Sequence, residues 1–399
     1  MAESYELRIE ARPPHLVPMP EPIPLIAPDA LAERLDGGER LQVLDIRAPE
    51  KVAQGRLALG PALEFHAMPG SRMYQLSSLE PLGLDARRPV AVICGHGNSS
   101  KEATRFLRAR GVEAYSVLGG MAAWEAVYVA RRLAPTPSLE HIVQLDRVGK
   151  GCLSYVVASR GEAVVVDPGR HVASYDALLA QLGARPVAVI DTHAHADHLS
   201  GGPRAAEAWR VPYYLHPGDA VSPFDGAAAR VSHRPLEDGR RIPVGHAALR
   251  VVHNPGHTLG SVALMTDDGV ALTGDFVFIK SLGRPDLGGQ AEAWGRLLWQ
   301  SLENARREWP GDILVLPAHY ASETERRADR AVAARFDVVR ATNDALGIAD
   351  AAAFARWLSQ NPSPPPIYRT IKVANLGLAE LSEADAETLE SGPNQCAVK

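Results

Sequence analysis

Cysteine is scarce in this chain: three thiols, Cys94, Cys152 and Cys396, in 399 residues. Widely separated and odd in number, they build neither a disulfide framework nor a zinc-knuckle spacing, so the expected compartment is the reducing cytoplasm. Basic runs are missing as well. Lys plus Arg number 42 against 47 Asp plus Glu, a formal charge of −5, which leaves a nucleic-acid or anionic-membrane partner without an electrostatic footprint. Gly, Pro or charge cuts every apolar stretch well short of the roughly 18 residues of a membrane span. The opening MAESYELRIEARPPHL has no apolar core or cleavage site of a secretory signal, and export is not expected.

Apolar residues at 46% and charged residues at 22% are ordinary globular usage, and the length predicts two or three domains. Residues 1–27 form a proline-rich extension. Strands and helices alternate over residues 28–133, which predicts an α/β domain with a parallel sheet, since crossover helices are what connect parallel strands. The stretch Arg132 to Glu140 carries two prolines and is the expected boundary. Over residues 140–330 strands come in pairs, CLSYVVAS and EAVVVDPG turning at Arg160–Gly161, which predicts two sheets with helices outside. Residues 331–399 read as a helical appendix, packed on the second domain or on a second copy of the chain. The run from Glu323 to Leu346 is expected to be helical throughout.

The most informative segment is Asp191-Thr192-His193-Ala194-His195-Ala196-Asp197-His198, placed after the strand-like PVAVI. In an extended stretch His193 and His195 face one side, and Asp197 and His198 fall where the next helix is expected to begin. Crowding buried imidazoles and carboxylates carries a desolvation cost that metal ligation offsets. Three later runs end in the same kind of residue: VVHNPG leads to His257, VALTG to Asp275 and DILVLPA to His319. Rigid strands presenting ligands on loops are how α/β folds build active sites. Spacing alone leaves one metal or two open. Of the other histidines, His15, His66, His141, His171, His216, His233, His246 and His253 lack partners at ligand spacing, and His96 belongs to a different motif.

This set resembles the metallo-β-lactamase superfamily over about residues 140 to 330. The resemblance implies an αβ/βα sandwich with metal between the upper edges of its sheets. GHTLGS at Gly256–Ser261, GDFVF at Gly274–Phe278 and GRPDL at Gly283–Leu287 are similar to the persulfide dioxygenases, which oxidise glutathione persulfide and related compounds to sulfite. That resemblance implies His193, His257 and Asp275 as ligands of one Fe(II) per chain. His195, Asp197, His198 and His319 then line the site or serve a second metal. Two His and a carboxylate leave open positions on Fe(II) for O2 and sulfur. The alternative is a site with two Zn(II) or mixed metals, hydrolysing glutathione thioesters as hydroxyacylglutathione hydrolases do, with Asp275 bridging. Arg284 and Asp286 match the dioxygenase pattern, and Arg284 is implied to shape the thiol pocket.

Cys94 follows another PVAVI run and opens Cys94-Gly95-His96-Gly97-Asn98-Ser99-Ser100 ahead of a helix. Backbone N–H groups and a helix N-terminus there favour a thiolate. With Asp45-Ile46-Arg47 and LGGMAAW at Leu118–Trp124, residues 28 to 130 resemble a rhodanese domain, which implies a persulfide carried on Cys94 and handed to a thiophilic acceptor. Ser99 stands where that family commonly has Arg, which weakens an anion clamp for thiosulfate. The expected partners are therefore a small-molecule thiol persulfide and O2, with sulfite or thiosulfate as product, and no nucleic acid or membrane. Cys152 reads as a small buried hydrophobe and Cys396 as a tail residue.

Overall fold

The computed structural model describes residues 22–60 and 62–398. Most of the proline-rich extension, with His15, lies outside the described residues. The first sheet has five parallel strands in the order Leu25–Ile26, Ala114–Val117, Val90–Ile93, Leu41–Asp45, Leu63–Ala67. Its central strands Leu41–Asp45 and Val90–Ile93 are buried along their whole length because both faces are covered. Val43 and Ile93 pack with Leu31 and Leu35 on one face. Leu44 and Val92 alternate to the other, against Ala103 and Leu107 of the helix Ser99–Arg108. Parallel strands align their C-terminal ends, which brings Asp45 and Cys94 to one edge. Leu25–Ile26, read from sequence as part of the extension, is a strand of this sheet.

Two further sheets, of seven and six strands, stack face to face. Tyr155, Val157, Val164 and Ile190 of the first meet Val251, Leu264, Leu272 and Val315 of the second in one apolar cluster. The alternate residues Val156 and Val165 face outward onto Tyr175, Leu178 and Leu179 of the helix Val172–Leu182. The hairpin at Arg160–Gly161 forms as the sequence predicts, with both residues at positive φ. The sandwich begins earlier than expected. Tyr128–Leu133 already pairs antiparallel with His141–Arg147 as an edge strand, so the prolines at 135 and 137 sit inside the second domain, in a hairpin connection.

The expected helix from Glu323 to Leu346 is interrupted. Glu323–Glu325 is one 3-10 turn, Arg330 has φ 66°, and Ala334–Arg335 adds an edge strand before the helices Phe336–Thr342 and Asp344–Gly347. Long-range pairing overrides helix propensity here: Arg326 meets buried Asp146 at 2.7 Å, and Arg330 reaches Asp36 of the first domain at 3.6 Å. Asp36 also takes a bidentate contact from Arg131 at 2.9 and 3.0 Å. The helices Ala351–Leu358, Ile367–Asn375 and Glu383–Leu389 follow. Near the end of the described residues, Ala397 bridges Gly283, and Val398 N donates to Leu282 O at 2.9 Å.

Candidate metal centre and thiol site

The strands deliver the ligand-type residues to one end of the sandwich. Arg185–Ile190 runs into the loop holding His193 to His198, Asp275 follows Val270–Gly274, and His319 follows Leu314–Pro317. His257 lies in the turn between Ala247–His253 and Val262–Met265. Asp197 and His198 belong to the loop itself; the next helix, Gly202–Trp209, starts later than the sequence suggested. All seven side chains are buried. The loop is pinned by Asp219, which accepts from Ala194 N at 2.7 Å, from the Thr258 hydroxyl at 2.6 Å and from Gly260 N at 3.1 Å. Pattern reading missed Asp219, because it holds two loops together by hydrogen bonds rather than sitting at ligand spacing.

Three imidazoles share one polarity. His257 Nδ1 donates to Arg284 O at 2.9 Å, and His319 Nδ1 donates to Gly151 O at 3.0 Å. His193 Nδ1 lies 3.0 Å from the Thr192 hydroxyl, which gives its own proton to Asp167 at 2.8 Å and so accepts from the ring. Each ring therefore presents the Nε2 lone pair inward, the second-sphere arrangement of metal-binding histidine. Those lone pairs converge on one carboxylate. Asp275 Oδ2 is 3.3 Å from His257 Nε2 and 3.8 Å from His193 Nε2, while Asp275 Oδ1 is 3.4 Å from His319 Nε2. All three Nε2 atoms and both Asp275 oxygens are buried without a hydrogen-bond partner. Acceptors facing acceptors in a dry site fit a cation between them. Burial pushes the His257 pKa down to about 3, with Lys372 adding to the effect, and pushes Asp275 up to about 6. Lys372, another residue outside the sequence patterns, is fully buried with Nζ 3.1 Å from Ala194 O.

His195 is drawn the other way. Its Nε2 lies 3.2 Å from Asp167 and 3.8 Å from Asp191. Burial would lower its pKa, but these two carboxylates overcome burial and hold it well above the ordinary imidazole value. Asp167 is at φ 51°, unusual for a residue with a side chain, and also accepts from Thr192 N at 2.6 Å. His193, His257 and Asp275 thus form one three-donor group, and His195 with Asp167 and Asp191 forms another.

Asp197 centres a second group. His198 Nδ1 is 3.1 Å from its Oδ1, His319 Nε2 is 3.4 Å from its Oδ2, and the Cys152 thiol donates to Oδ2 at 3.1 Å. Cys396 is also here, its thiol within ligand-sharing range of Asp197 and His319. Both cysteines were expected to be incidental; both line the centre. Arg284 is buried, and its guanidinium grips Asp286 at 2.6 and 2.7 Å and the backbone carbonyls of Pro362 and Gln395. Its carbonyl orients His257 and its N–H meets Cys396 O at 2.9 Å. Arg284 thus helps position His257, and together with Asp286 it lines a cavity of about 740 Å3.

Cys94 directly follows the strand Val90–Ile93 and opens a tight loop. Gly97 N donates to the sulfur at 3.2 Å, the Ser100 hydroxyl lies 3.4 Å away, and Ser116 supports Ser100 at 2.8 Å. Burial raises the thiol pKa, yet the Ser100 hydroxyl and the N–H groups of Ser100, Gly97 and His96 outweigh it, and the net direction is down. Gly120, at φ 63°, is required: a Cβ there would stand 2.4 Å from Cys94 O. Between the domains lies a cavity of about 1110 Å3, with Arg47, Arg56 and Arg72 on one wall and Lys150 and Tyr320 on the other. Gln395 and Ala397 also line it, whereas Cys396 between them is fully buried on the metal side.

The chain belongs to the metallo-beta-lactamase superfamily, whose profile matches residues 147–339, and a rhodanese-like domain is matched over residues 27–127. It is 34% identical over 201 residues to an uncharacterized protein of Mycobacterium leprae (strain TN), covering 44% of this chain and 91% of that one. It is 35% identical over 162 residues to the persulfide dioxygenase ETHE1, mitochondrial, of Homo sapiens, covering 40% of this chain and 59% of that one. Among solved structures, a metallo-beta-lactamase from Staphylococcus aureus subsp. aureus COL superposes with a TM-score of 0.51 at 25% identity, over 58% of this chain and 71% of that chain. Among the described residues no helix is long and apolar enough to cross a membrane.

Proposed function

We propose that this protein oxidises a low-molecular-weight persulfide, such as glutathione persulfide, to sulfite, and that Cys94 carries sulfane sulfur by rhodanese-type transfer. The carrying observation is the withdrawal of His195 to Asp167 and Asp191, which reduces the first position to His193, His257 and Asp275. Bound there, one Fe(II) would supply open coordination positions for O2 and a sulfur ligand. The reaction balances as persulfide, O2 and water giving thiol, sulfite and two protons. The chain holds each ring in one tautomer through Thr192 and Arg284, and keeps the donors dry. The arginines of the interdomain cavity suit anionic sulfur compounds and the carboxylates of a peptide thiol. At Cys94 the thiolate attacks the outer sulfur of a persulfide, the old S–S bond breaks, and the donor leaves as a thiolate. Similarity to the human persulfide dioxygenase supports the reading.

The test is O2 uptake by Fe(II)-loaded protein on addition of glutathione persulfide, with sulfite measured beside it. Uptake that disappears in His257→Ala supports the reading; no uptake by fully iron-loaded protein sinks it for this substrate. The contact between His319 Nε2 and Asp275 Oδ1 favours, as a second reading, a binuclear thioester hydrolase. Glutathione-thioester cleavage by chain loaded with two Zn(II) would select it.

A further inference from the structure

The buried arginines Arg131, Arg147 and Arg284 each face a carboxylate, of Asp36, Glu390 and Asp286 respectively. Lys372 does not. It is 2% exposed, no carboxylate of the described residues lies within ion-pair distance of it, and its ammonium makes one hydrogen bond, to Ala194 O at 3.1 Å. An ammonium has three N–H donors, so two are left over, and a buried cation without a counter-ion is a place lysine rarely accepts. A second unmet donor stands beside it. Trp294 Nε1 is buried with no hydrogen-bond partner, and the Lys372 ammonium lies 5.9 Å from the centroid of the Trp294 ring.

The fold sets this lysine against the first metal position. The helix Ile367–Asn375 lies along the histidine loop by the face that carries Tyr368, Lys372 and Asn375, spaced i, i+4 and i+7. Asn375 Nδ2 donates to His195 O at 2.9 Å and to His198 O at 2.8 Å, and Tyr368 packs with Ala196 and Leu287. Lys372 therefore sits on the backbone link between His193 and His195. Its charge reaches the ligands, adding to burial in lowering His257. The first position itself offers two neutral imidazoles and a carboxylate, which give an incoming anion no donor besides the metal.

We propose that Lys372, with Trp294 beside it, forms an anion-binding subsite of the first position, taking the negatively charged sulfur group of the ligand held there, persulfide on entry and sulfite on exit. The free N–H donors make charge-assisted hydrogen bonds to that group in a dry site, and the anion supplies the counter-ion the lysine lacks. Because the helix belongs to the C-terminal appendix, that segment contributes a side chain to the site rather than only packing against it. The inference deepens the persulfide reading and rests on it for the identity of the anion.

Sulfite is titrated by calorimetry, without oxygen, into the Fe(II)-loaded full-length chain and into Lys372→Met, which keeps the length of the side chain and removes its charge. Binding is expected to weaken about 10- to 100-fold in the variant at unchanged iron content, and KM for glutathione persulfide to rise with it. Equal sulfite affinity in the two iron-loaded proteins would overturn the assignment. Should Lys372→Met fail to fold or to hold iron, crystals of the unmodified chain grown with sulfite under anaerobic conditions decide: a sulfite oxygen within hydrogen-bond distance of Lys372 Nζ supports the subsite, and an anion seated elsewhere refutes it. Sulfite binding through Lys372 without O2 uptake would keep the subsite and remove the persulfide reaction. O2 uptake with sulfite affinity and KM both unaltered in Lys372→Met would do the reverse.

Discussion

Glu390 joins three parts of the molecule, and its removal tests how the centre is held. Its side chain is 1% exposed and accepts from Arg147 at 2.9 and 3.1 Å, from Arg170 at 2.5 Å, and from Leu199 N, just beyond the histidine loop, at 2.8 Å. Arg147 in turn donates to Glu125 O of the first domain at 2.7 Å. Burial alone would raise the carboxyl pKa; Arg147 reverses this and brings it from 4.5 down to about 2. At 1.36 kcal/mol per pH unit that difference corresponds to about 3 kcal/mol of folding stability. Because the folded value is the lower one, this contribution is present above about pH 4.5 and is lost as pH falls through about 2. Glu390→Gln keeps the shape, removes the charge and leaves Arg147 buried without a counter-ion, a loss expected at roughly 3–5 kcal/mol. Urea unfolding is measured for both proteins from pH 7 downward, and the gap between them should close toward pH 2. Glu383→Gln, which removes the exposed partner of Arg170, should leave stability unchanged. A Glu390→Gln gap that stays constant with pH, or matches that of Glu383→Gln, would refute the reasoning.

Thr192→Val removes the acceptor that fixes His193 and should weaken metal binding about 10- to 100-fold, read by competitive titration with a chelator. Ser100→Ala deletes a hydroxyl that stabilises the Cys94 thiolate, so the pH midpoint of Cys94 alkylation should rise; an unmoved midpoint would assign the lowering to the backbone N–H groups alone. Gly120→Ala drives a Cβ toward Cys94 O and should abolish Cys94 persulfidation while leaving metal content intact, as measured by mass spectrometry and elemental analysis.

Much of this was legible in the sequence, because the signals are local. Short runs rich in apolar and β-branched residues, VAVI and CLSYVVAS, announce strands, and the step from strand to loop places His193, Asp275, His319 and Cys94 at strand ends wherever the strands later pair. The chemistry of the donors is likewise written in residue type: imidazoles and carboxylates crowded into one loop are tolerated for few reasons besides a metal. Even the Arg160–Gly161 turn follows from its own dihedral requirements.

What the tertiary structure decided are the relations that cross the chain. His193 and His195 look equivalent two residues apart, yet Asp167 and Asp191 claim one and Asp275 the other. Arg284 shows in the sequence only its nearness to Asp286; that it also holds the carbonyls of Pro362 and Gln395 is decided by the fold. The run from Glu323 to Leu346 has helix-forming composition, but Asp146 and Asp36 pull its arginines apart. Cys396 gives no local sign of its place, because nothing near it in sequence states that Ala397 will bridge Gly283. Local sequence sets backbone periodicity and the kinds of groups available; which buried donor meets which acceptor is fixed only when the sheets stack and every polar atom must find a partner in the absence of water.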